Sequence, residues 1–89
     1  NLSSFDDLVD FFTHAEFGKL EKVKERRTST IFELSGQTVS DRLNSDSKEF
    51  SLEAGTIAEA LQEESNRTTE CEIKILDKEE KVQLTATFN

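Results

Sequence analysis

Apolar residues recur along this chain at two spacings, and the changes of spacing mark its elements. Phe5, Leu8, Val9 and Phe12 stand at i, i+3, i+4 and i+7, the stripe of an amphipathic helix. Ser4 is placed to cap the first turn with Asp7 three residues on, and Asp6 and Asp7 suit the positive end of the helix dipole. The spacing predicts a helix through about residue 15, ended or kinked at Gly18. A second helix is expected over residues 54–65, where Ala54, Ile57, Ala58 and Leu61 repeat the same spacing. Thr56 with Glu59 reads as a capping box just after Gly55, and Ser51 is the competing start, which would leave Gly55 inside the helix.

Alternation takes over elsewhere. Thr28–Leu34 is rich in β-branched and aromatic residues and reads as a strand, followed by a turn at Ser35-Gly36-Gln37. Thr38–Ser47 is polar, anchored only by Val39 and Leu43; a hairpin across Gly36 would set Phe32 opposite Asp41 and is not expected to run far. Lys48–Leu52 reads as a short strand presenting Phe50 and Leu52. The C-terminal hairpin is the clearest element. A two-residue loop at Lys78-Glu79 pairs Ile75 with Val82, Ile73 with Leu84 and Cys71 with Ala86, so both strands bury the same side in one register. Residues 19–27 have neither period: a helix would stack like charges, Glu21 with Glu25 and Lys22 with Arg26, and a strand would lack apolar alternation. They are read as a charged segment whose structure the sequence leaves open.

Together these elements predict one small α+β domain spanning 1–89, with two helices on one face of a mainly antiparallel sheet of three to four strands, in the order helix, strand or strands, helix, hairpin. The 24 Leu, Ile, Val and Phe residues are more than a quarter of the chain, enough to favour a folded state over disorder.

Charge changes the picture of function more than of fold. The net charge is -8, yet residues 18–27 carry Lys19, Lys22, Lys24, Arg26 and Arg27 against two acids. Five cations offer a basic strip for phosphates, but the interrupting Glu21 and Glu25 and the overall negative charge weigh against direct nucleic-acid binding. Glu63 and Glu64 at the end of the second helix and Asp77, Glu79 and Glu80 at the hairpin tip form a candidate acidic surface for a partner.

Reactive residues are scarce. His14, the single histidine, lies four residues after Asp10 and is read as a surface imidazole beside that carboxylate, because a zinc site needs further ligands. Cys71, the single cysteine, sits on an apolar strand face between Glu70 and Glu72 and is read as a small hydrophobe. No catalytic residue, metal or cofactor is expected.

The sequence therefore favours a non-enzymatic protein–protein interaction or dimerisation module, using a sheet edge at Thr28–Leu34 or Val82–Phe88. The alternative is an acidic nucleic-acid mimic, of the kind a phage or mobile element encodes, that inhibits a nucleic-acid-binding protein; weak nucleic-acid binding through residues 19–27 stands third. A protein partner or a second copy is expected, and no membrane. One cysteine argues against a disulfide-stapled secreted module and for an intracellular setting.

Overall fold

The computed structural model describes residues 5–46 and 48–89. Helix α1, Phe5–His14, carries the expected stripe and buries Leu8 and Phe12 completely. The proposed cap at Ser4 lies outside the described residues, as does Ser47. Beyond α1 the chain turns through Glu16 at φ 60 and Gly18 at φ 130. A Cβ on Gly18 would stand 2.6 Å from the Ser35 carbonyl oxygen, so only glycine lets the two segments pass.

The charged segment is a strand, β1, Lys19–Glu25. It pairs antiparallel with β2, Ser29–Ser35, the strand expected from the β-branched run. The missing alternation has a physical cause. Lys22 pairs with Phe32 and Lys24 with Ile31, so Val23 is the extra residue of a bulge and stands 54% exposed. Lys22 therefore faces the helices, where its ammonium lies 5.1 Å from the centre of the Phe5 ring.

After β2 the chain forms a helix, not a hairpin return. Helix α2, Gln37–Leu43, buries Val39 and Leu43, the two anchors of the polar stretch. The expected strand at Lys48–Leu52 is also absent: Phe50 is buried, Leu52 is exposed, and helix α3 runs Ser51–Ser65. Ser51 is thus the true start, with its N–H donating to the Glu49 carboxylate at 2.6 Å. Thr56 makes no cap; its hydroxyl donates to the Leu52 carbonyl inside the helix. Starting at Ser51 brings Glu53 and Ala54 into the interior beside Ile57 and Ala60, which repays Gly55 in the helix.

Strands β3, Thr69–Leu76, and β4, Lys81–Phe88, form the C-terminal hairpin in the expected register. Its tip is longer than two residues: Asp77–Glu79 make a 3-10 turn and Glu80 takes a left-handed conformation. Because β4 also pairs antiparallel with β2, the sheet order is β1-β2-β4-β3. Among the described residues three α-helices, one more than expected, contribute to a core with Phe32, Leu34, Val82, Leu84 and Ala86. Val82, Leu84 and Ala86 alternate with Gln83 and Thr85 on the opposite face of the sheet.

Candidate interaction surface: the two sheet edges

The strand order decides which backbone is free. Thr28–Leu34 and Val82–Phe88, the edges expected from sequence, belong to the two central strands, each paired on both sides. The edges are β1 and β3, and they differ in kind. β1 is broken by the bulge at Val23 and studded with Lys19, Lys22 and Lys24, the devices that keep an edge from pairing further. β3 is an unbroken eight-residue strand with no register shift.

The ladder shows where the backbone groups of β3 point. Asn89 donates to the Thr68 carbonyl at 3.0 Å, which continues the β3–β4 register by one pair. Residues that exchange bonds with β4 therefore follow the parity of Thr68: Glu70, Glu72, Lys74 and Leu76. The N–H and C=O groups of Cys71, Ile73 and Ile75 point away from the sheet. The Thr69 N–H, of the same outward set, is met by Oε1 of Gln62 at 3.1 Å. Among the described residues, those of Cys71, Ile73 and Ile75 have no such partner. The side chains along this edge are mixed. Ile73, on the core side of the sheet, is 40% exposed, while Cys71 and Ile75 are half-buried. Glu72 and Lys74 project from the other face and make no ion pair within the chain among the described residues.

The residues singled out from sequence fall elsewhere. Glu63 and Glu64 end α3 beside the start of β3, whereas Asp77, Glu79 and Glu80 lie at the far end of that strand. Eight extended residues separate the groups by about 25 Å, so the five acids form two patches, not one. Glu64 borders a cavity of about 120 Å³ floored by Phe5, Phe32, Leu61 and Phe88. The basic strip is spread over β1 and its turn. Lys22 is paired with Glu25 at 3.2 Å and Lys19 with Glu21 at 3.9 Å, while the Arg26 N–H and Ser29 carbonyl close the turn at 2.7 Å. His14 meets the backbone carbonyl of Asp10 through Nδ1 at 2.8 Å, not the carboxylate. Cys71 packs against the core; burial, with the Glu72 charge adding to it, pushes its thiol up to about 12, so it stays protonated and weakly nucleophilic.

One polar pair escaped sequence reading. Arg42 on α2 donates through Nη1 to Oε2 of Glu53 on α3, and its guanidinium lies 4.0 Å from the centre of the Phe50 ring. Glu53 is 2% exposed and its Oε1 has no partner among the described residues. The pair ties two helices across the 44–50 connection. Among the described residues no three of His, Cys, Asp and Glu converge as a metal site requires, and no helix is long and apolar enough to cross a membrane.

Residues 1–87 match the model of a family described as protein of unknown function (DUF2507). The chain is also similar to the uncharacterized protein YslB of Bacillus subtilis (strain 168), 33% identical over 89 residues. That alignment covers 99% of this chain and spans about 60% of the length of the relative.

Proposed function

The chain belongs to the DUF2507 family, and we propose that it works as a protein–protein interaction module that accepts an added strand at β3. One observation carries the reading: β3 presents unpaired backbone groups at Cys71, Ile73 and Ile75 beside an exposed isoleucine, while the opposite edge is guarded. Main-chain hydrogen bonds to an incoming strand give affinity without any reactive side chain, and the alternating side chains along the edge give selectivity. Such a module needs no catalytic constellation. The reading as a nucleic-acid mimic draws on the net charge of -8, but its five acids stand at two ends of the molecule.

Ile73→Pro tests the reading. Proline removes an N–H that points away from β4, so the native ladder keeps its bonds while the edge loses a donor. Circular dichroism is expected to report a folded protein whose association, with itself or with a partner, is lost. Association that survives this substitution in a folded chain overturns the reading.

A further inference from the structure

Resting on that reading of the edge, we propose that the strand added at β3 is β3 of a second copy, antiparallel and centred on Ile73. Ile73 then faces Ile73 of the other copy, Cys71 faces Ile75, and Glu72 faces Lys74 twice over. The two four-stranded sheets become one continuous sheet about a two-fold axis.

The register follows from the backbone. In an antiparallel ladder, residues whose groups point outward come opposite residues of the same kind. Cys71, Ile73 and Ile75 must therefore face members of that set. Centring on Glu72 leaves Ile75 opposite Thr69, whose N–H is already taken by Gln62, and sets Glu72 against itself. Centring on Lys74 sets two lysines against each other and sends Cys71 beyond the strand to Asp77. Centring on Ile73 pairs every free outward group and opposes the charges. It also covers the exposed Ile73 with its counterpart, extending an apolar strip of Cys71, Ile73 and Ile75 from one core to the other.

Charge complementarity fits the geometry closely. Glu72 and Lys74 form the non-hydrogen-bonded pairs of this register, in which the Cα atoms approach to about 4.5 Å and side chains meet most directly. Both residues are exposed and without an ion pair in the chain among the described residues, so pairing them undoes no native contact. The strand Glu70-Cys71-Glu72-Ile73-Lys74-Ile75 is thus complementary to its own reverse about one residue.

Two chains, one carrying Glu72→Cys and one Lys74→Cys, test this when incubated under oxidised glutathione. A separation of about 4.5 Å lies within disulfide range. A mixed disulfide is expected when the two are combined, and little dimer from either alone. Self-coupling of Glu72→Cys or of Lys74→Cys at the rate of the mixture overturns the register. A mixture no faster than a control cysteine elsewhere on the surface overturns the homodimer. Lys74→Glu is expected to weaken self-association about tenfold, since two attractive pairs become repulsive, and adding Glu72→Lys to it restores the affinity. Failure of that restoration also counts against the register. If association with another protein is abolished by Ile73→Pro while the two cysteine chains give no mixed disulfide, the second copy is wrong and the edge reading stands. If association ignores Ile73→Pro, the edge reading falls with it. A chain that stays monomeric at millimolar concentration overturns the homodimer.

Discussion

Removing the Arg42 side chain breaks the most buried ion pair among the described residues. Glu53 is 2% exposed, one of its carboxylate oxygens has no partner among the described residues, and the other is held by Arg42. Arg42→Ala therefore leaves a buried carboxylate with nothing to replace water. Breaking one side of a buried pair costs about 3–5 kcal/mol, against roughly 0–1 kcal/mol for an exposed pair. The Arg42 side chain is 27% exposed, which admits some solvent and favours the lower end, about 3 kcal/mol. A domain of 89 residues has about 4–13 kcal/mol in hand, so the variant stays folded or sits at the threshold. Arg42→Lys keeps the charge and loses the flat stack on Phe50, a cost of about 1 kcal/mol. Urea unfolding measures both. At about 1 kcal/mol per molar for a chain of this size, Arg42→Ala shifts the midpoint down by about 3 M. Arg42→Leu combined with Glu53→Leu is expected to recover most of that loss, because the uncompensated charge is gone. An Arg42→Ala midpoint within 1 M of the unaltered chain, roughly the exposed-pair cost, would refute the reasoning.

The glycines should respond in opposite directions. Gly18→Ala forces a Cβ to 2.6 Å from a backbone oxygen at φ 130 and is expected to destabilise by about 2 kcal/mol or more, whereas Gly55→Ala meets open space inside α3 and gains about 1 kcal/mol. Thermal melts should place Gly55→Ala about 4–8 °C above the unaltered chain and Gly18→Ala about 8–16 °C or more below it. Glu49 is held below the ordinary carboxylate value by the Ser51 hydroxyl and then the Ser51 N–H. Its contribution is thus present above the unfolded carboxylate pKa and lost as pH falls through the lower folded value, so Glu49→Gln should flatten that part of the acid limb of stability. A Glu49 carboxyl titrating at or above 4.5 by NMR would contradict this. Cys71 has the opposite sign: its thiol is raised from 9.0 to about 12, so the folded state holds the proton longer than the unfolded chain. That part of the stability is complete below about pH 9 and falls as pH rises towards 12, a decline that Cys71→Ala should reduce; equal slopes for the two chains would contradict it.

How much was legible follows the range of each interaction. The α1 stripe and the hairpin register are local patterns, and both are present as read. β1 was hidden because Val23 is an extra, bulged residue and because Lys22, not a hydrophobe, follows Leu20 on the face toward Phe5. α2 offers only Val39 and Leu43 as a helical signal in seven residues, too few to outweigh a turn reading after Gly36. The start of α3 was ambiguous because Gly55 weighs against a helix locally, while the burial of Glu53 and Ala54 that decides for it is tertiary. Strand order was illegible for the same reason. The β2–β4 pairing joins segments on either side of two helices, and no local pattern announces it. Strand order therefore hides the true edge, although Cys71-Glu72-Ile73-Lys74-Ile75 shows its alternation in the sequence. The acids were grouped by sequence, and α3 and β3 then carried them to opposite ends.

Amide hydrogen exchange at Cys71, Ile73 and Ile75 tests the role of the β3 edge most directly. These N–H groups have no partner in the single chain among the described residues, whereas those of Glu72 and Lys74 bond to β4. In dilute protein the three should exchange rapidly beside protected neighbours, and in concentrated protein they should become protected together as a second β3 covers them. Exchange at Cys71, Ile73 and Ile75 that stays fast at millimolar concentration would contradict the account.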